Sequence, residues 1–155
     1  MLEELRQIYW VAFVVALIFI LWKGGVPERL GAATVVAMAV LQFSLLVFMR
    51  SSRFDAVDLG SLVTDVVGFA GFGILALNAR RIWPLWATAL QLLSLGAHFA
   101  RWVSLDMAQQ IYAITRSTPT AIVVVLMVLA TAFHIQAVKR GTSGADWQDW
   151  DQFRH

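Results

Sequence analysis

The sequence predicts an all-α fold: a polytopic transmembrane helix bundle of five spans with one short interfacial helix. Three observations predict it. Of the 155 residues, 59% are hydrophobic and only 14% charged, too little charge to cover a soluble domain of this length. The apolar residues come in long runs rather than amphipathic stripes, and the mean hydropathy is +0.70. Charges gather in short breaks between those runs, beside Gly, Pro or Ser.

Span 1 is expected over 8–22, with a helical lead-in from Leu2. It is read as a retained span and not a signal peptide. Its start carries Glu3 and Glu4 beside a single Arg6, and no small-x-small site precedes Lys23-Gly24-Gly25. Val11 to Leu21 contains no polar side chain, so this helix reads as a lipid-facing wall. The break through Gly24, Gly25 and Pro27 is a turn, and Pro27 is suited to the first turn of the next helix. Span 2, 30–49, is small in its first half (Gly31, Ala32, Ala33, Ala37, Ala39), as close helix packing requires, and carries Gln42 and Ser44 in its second.

Span 3, 57–77, places Asp58, Ser61, Thr64, Asp65, Gly68 and Gly71 on one face about 140° wide. Span 4, 83–104, opens on Trp83-Pro84 and carries Gln91, Ser94, His98 and Arg101 within a stripe about 80° wide. A lipid-facing stripe of that kind is costly, so it must face protein or water. The stretch 105–117 is helical in pattern but too polar to span, hence the interfacial helix. Ser117-Thr118-Pro119 then opens span 5, 120–138. The bundle therefore occupies 1–140. A polar tail, 141–155, carries Trp147, Trp150 and Phe153 at helical spacing of three, fit for docking onto a partner subunit or the headgroup region.

Net charge is +2 and the pI about 9.5, which reflects Lys and Arg at span ends and not a nucleic-acid surface. Five spans put Lys23, Arg29, Arg80, Arg81, Lys139, Arg140 and Arg154 on one side, against Arg6, Arg50, Arg53 and Arg116 on the other. That bias predicts the N-terminus outside and the C-terminus in the cytoplasm. No internal repeat suggests an inverted-repeat transporter. The absence of cysteine excludes disulfides, thiol redox chemistry and Cys-ligated metal centres.

Depth within the spans shows where chemistry could sit. At about 1.5 Å per residue, Asp65 lies roughly 12 Å and His98 roughly 10 Å from the outer ends of spans 3 and 4. Gln42 also falls in the outer half. Gln42, Asp65, Gln91, Ser94, His98 and Arg101 thus form the expected buried polar cluster, with Asp65 facing His98 and Arg101. It serves either as a clasp between spans 3 and 4 or as a proton, ion or ligand path. His98, with Gly96, Ala97 and Ala100 around it, is the candidate ligand for a haem or a chlorophyll-type pigment. His134 sits about five residues from the inner end of span 5 and cannot share an iron with it. No hydrolase, metalloprotease or phosphate-loop motif occurs, so no catalytic or metal-ligating residue is assigned.

The turn Gly24-Gly25-x-Pro27-Glu28-Arg29 and the stretch from Trp83-Pro84-Leu85-Trp86 through Gln91 to His98 resemble small uncharacterised multi-span membrane proteins of alphaproteobacteria. The resemblance spans helices 1–4, implies a bacterial inner membrane and carries over no activity. The functional expectation is a non-catalytic accessory subunit of a larger membrane complex, of respiratory or photosynthetic type, with lipid and other membrane subunits as partners. A small transporter or channel using Asp65, His98 and Arg101 is the alternative.

Overall fold

The computed structural model describes residues 2–48, 59–103 and 109–149. Among them are five helices: α1 (Leu2–Lys23), α2 (Val26–Phe48), α3 (Leu59–Asn78), α4 (Trp83–Val103) and α5 (Gln109–Lys139). They form no β-strand beyond one isolated bridge. Four helices, α1, α2, α3 and α5, are long and apolar enough to cross a membrane. The helices pack in a ring in chain order, with α5 closing against α1 and also touching α2. One end of the bundle holds the α1–α2 and α3–α4 turns and the end of α5. The opposite end holds the last turns of α2 and α4 and the first turns of α3.

Each boundary has a local cause. Gly24 receives the end of α1 through its N–H on the Ile20 carbonyl at 2.8 Å. The Arg29 side chain then reaches back, Nε to the Gly24 carbonyl at 2.9 Å and Nη2 to that of Trp22 at 3.2 Å. It thereby supplies donors to carbonyls that α1 leaves unpaired at its C-terminus. Pro27 and Pro84 lie in the first turns of α2 and α4, where a missing N–H breaks no helical bond. Helix α5 ends in a Schellman motif: Gly141 at φ 68° donates to Val138, and Thr142 donates to Ala137.

One expected boundary shifts. The polar stretch before Ser117 does not form a separate helix; from Gln109 it is the first part of α5, which runs through Pro119. Proline fixes φ at a helical value. A chain already helical before it can therefore continue through, losing one hydrogen bond instead of starting afresh.

The core draws on all five helices. Ile20, Ala32, Phe72, Ala87, Val123 and Met127 are completely buried, and Val35, Met38, Leu75, Trp83 and Val124 nearly so. Phe72 meets Trp83 edge-to-face with ring centroids 6.3 Å apart. The small residues of α2 and α3 let these helices approach closely. A Cβ on Gly31 would lie 2.5 Å from the Trp83 ring and 2.8 Å from Met127 Sδ. One on Gly68 would lie 2.6 Å from Met38 Sδ. Helix α1 sits outermost: only 6% of its apolar window is buried, against 39% for α3.

Candidate functional site

Two polar clusters occupy the two ends of the bundle. The first is built on α3 and α4. Of the face read from the sequence of α3, Ser61, Thr64, Asp65 and Gly68 are buried, Gly71 is half-buried and Asp58 lies outside the described residues. The stripe of α4 is buried too, Gln91 and Ser94 fully and His98 to 1% exposure. Asp65 joins the two helices. Its Oδ2 accepts the Ser94 hydroxyl at 2.6 Å and lies 2.9 Å from His98 Nε2. Alongside, the Thr64 hydroxyl lies 3.1 Å from Gln42 Oε1 and 2.9 Å from the Gly60 carbonyl, which ties α2 to α3. Gln91 Nε2 reaches Thr120 on α5 at 3.4 Å, a long bond, and Gln91 Oε1 is buried with no partner.

Of the six residues expected to cluster, Asp65, Ser94 and His98 bond directly, while Gln42 bonds Thr64 and Gln91 bonds Thr120. The side chain of Arg101 lies outside the described residues. The chemistry open to the group is limited by its geometry. Ser94 gives its proton to a carboxylate and not to the imidazole, so it is not the activated nucleophile of a Ser-His-Asp triad. His98 Nε2 is held on Asp65 and the ring is enclosed, leaving no open face on which a porphyrin-sized group could dock. Asp65 also borders a cavity of about 210 Å³ that it shares with Tyr9, Trp10, Phe13, Gln42, Ser61, Thr64 and Thr120.

The second cluster, at the opposite end, went unread in the sequence. Glu28, in the first turn of α2, is completely buried. Its Oε1 accepts the Trp83 indole N–H at 3.1 Å and lies 3.5 Å from Arg81 Nε. Arg81 Nη2 donates to Asp146 Oδ1 at 2.7 Å and lies 3.3 Å from His134 Nδ1. Arginine has no acceptor, so in this contact His134 Nδ1 is the accepting atom. One guanidinium thus links the first turn of α2, the end of α5 and the tail. Glu28 Oε2 and Thr131 Oγ1 are buried without partners beside Gly25 and Gly24, where an added Cβ would lie 2.7 Å and 3.4 Å from them.

The tail is part of this cluster. Trp147 pairs with Ala79 in an antiparallel bridge, flanked by Arg80 N–H to the Asp146 carbonyl at 2.9 Å and Gln148 N–H to the Asn78 carbonyl at 2.7 Å. Of the three aromatics expected to dock, Trp147 lies on the chain's own α3–α4 turn, 39% exposed; Trp150 and Phe153 lie outside the described residues. His98 and His134 belong to different clusters. Trp83 and His98 mark those clusters on α4, about 22 Å apart along its axis. Between them the described core is apolar (Val35, Met38, Phe72, Ala87, Val123, Val124 and Met127) except for Gln91, buried about midway along α4.

Among the described residues no group of three or more His, Cys, Asp or Glu side chains is gathered to hold a metal ion. Compared with known protein families, curated proteins and solved structures, the chain matches none.

Proposed function

We propose that this chain is a non-catalytic integral-membrane subunit, a helical scaffold within a larger membrane complex. The observation that carries the reading is where the polar groups go. Asp65, Ser94 and His98 at one end, and Glu28, Arg81, Trp83 and Asp146 at the other, bond to one another across helices. They hold the bundle together, and the described layer that separates them is apolar but for Gln91. The outward surface is left to aliphatic and aromatic side chains such as Tyr9, Trp10, Val14 and Ile18 on the barely covered α1. That is a face for lipid or for neighbouring helices, and chemistry has little purchase on it.

In this reading α4 is a fifth span. It packs between α3 and α5, and its polar residues are turned inward, so its lower hydropathy is no obstacle to insertion. The excess of Lys and Arg at the end holding the α1–α2 and α3–α4 turns supports a cytoplasmic position for that end, with the N-terminus outside. The resemblance to alphaproteobacterial membrane proteins favours a bacterial inner membrane. The cavity beside Asp65 supports the second reading, a small proton or solute pathway. That pathway would have to open the layer around Phe72 and Met127.

Native extraction into polymer-bounded discs tests the reading, followed by identification of co-purifying chains by mass and an absorption spectrum. Stoichiometric membrane partners and a colourless chain are expected. A solitary chain, or one with a porphyrin band abolished by His98→Ala, contradicts it. Because the chain contains no cysteine, single cysteines at Lys23 and at Arg53 report orientation directly with impermeant reagents.

A further inference from the structure

We infer that the cleft between the start of α4, the last turns of α5 and the tail binds one anionic phospholipid, with Arg80 at its headgroup phosphate. The cleft has a volume of about 490 Å³ and a graded lining. Its charged end holds Arg80, Arg81 and His134, with the hydroxyls of Thr142 and Ser143 and the buried carboxylate of Glu28 behind Arg81. Its other end is Trp86, Leu126, Leu129 and Phe133. From Phe133 to Leu126 the trough follows α5 for about 10 Å, toward the middle of the bundle. A cationic mouth continuing into an apolar trough along a membrane helix matches an amphiphile lying parallel to that helix.

Charge selects the headgroup. Arg81 is already matched by Glu28 and Asp146, the acidic groups it contacts. Arg80 lines the cleft with an exposed side chain that has no partner among the described residues. Lys139 and Arg140, at the adjacent end of α5, are exposed and likewise without acidic partners there. The surplus at this rim is positive, and each cation held near an anionic headgroup favours it by a factor of roughly five. The inference rests on the bundle lying in a membrane and not on its being a subunit.

The test is native mass spectrometry of the chain released from nanodiscs containing equal phosphatidylglycerol and phosphatidylcholine. One retained phosphatidylglycerol per chain is expected, favoured roughly fivefold or more. Arg80→Gln should cut the preference about fivefold, and Arg80→Lys should keep it. Ala130→Phe, which fills the trough, should lower retention of both lipids, whereas Arg6→Gln at the opposite end should change nothing. Millimolar glycerol phosphate should not displace the lipid. Equal retention by the wild-type chain, an unchanged preference in Arg80→Gln, or displacement by glycerol phosphate would overturn the inference while leaving the membrane reading intact. Failure of the wild-type chain to incorporate into nanodiscs would overturn both. Arg80 holds no side-chain contact that folding needs, and helical circular dichroism checks that each variant is folded.

Discussion

The two polar clusters solve the same packing problem with different chemistry. At the Asp65 end, short side chains on regular helices bond directly: one carboxylate oxygen takes Ser94 and His98 from successive turns of α4. At the Glu28 end, a long guanidinium reaches between the first turn of α2, the end of α5 and the tail, and its partners lie far apart in the chain. The first cluster fixes the register of two helices. The second fixes how the connectors fold over the bundle. A regular helix presents groups at fixed spacing, so small residues suffice; connectors do not, so a long, planar, multidentate side chain is needed.

The largest expected effect lies at the connector end. Arg81→Ala would leave Glu28 with a buried charge facing only the Trp83 indole, and thermal unfolding in detergent should register a loss of about 3–5 kcal/mol. Arg81→Lys should recover only part, because an ammonium cannot span the same partners. If Arg81→Ala unfolds like the wild type, Glu28 is not held as described.

Asp65→Leu comes next. It removes the carboxylate oxygen that Ser94 Oγ and His98 Nε2 share, for about 2–3 kcal/mol by the same assay. Asp65→Asn keeps an acceptor oxygen and should cost less. The reverse order would mean that charge, and not hydrogen bonding, carries this cluster.

Gly31→Val probes the layer between the clusters. Its side chain would be driven into the Trp83 ring and Met127, costing about 1–3 kcal/mol by overpacking. The indole it displaces is the one bonded to Glu28, so the connector end should loosen while the Asp65 end does not. Limited proteolysis at the tail against hydrogen exchange in α3 would separate the two.

Gln91→Leu should have the smallest effect, with the opposite sign. Its amide makes one long bond and leaves Oε1 buried and unpaired, so an apolar replacement should leave stability unchanged or raise it by up to about 1 kcal/mol. A clear loss would place an unseen donor at that oxygen.

The contrast also explains what the sequence could reveal. Helix positions, the turn at Gly24-Gly25 and the Asp65 cluster were legible because polar residues at spacings of three and four stand out in an apolar stretch, and spacing alone assigns them a face. The second cluster was hidden because Glu28, Arg81 and Asp146 sit among Lys, Arg, Gly and Pro at span ends, where charge is ordinary. The predicted topology did put Glu28, Arg81 and His134 on one side. What spacing could not supply was the return of the tail onto Ala79, which depends on backbone pairing between residues nearly seventy positions apart. The continuation of α5 through Pro119 was lost for another reason: proline is as compatible with a helix passing through at some cost as with one beginning.

The two clusters are separate fastenings, divided by a layer whose one fully buried polar side chain among the described residues is Gln91. Double-mutant cycles in reversible unfolding test that separation most directly. Asp65→Asn paired with His98→Gln should couple by about 0.5–3 kcal/mol, because the two side chains share a bond. Asp65→Asn paired with Arg81→Gln should be additive within about 0.5 kcal/mol, since the two lie about 20 Å apart along the bundle and share no partner. Coupling across the ends as large as coupling within one end would contradict the account and point to a polar path joining them.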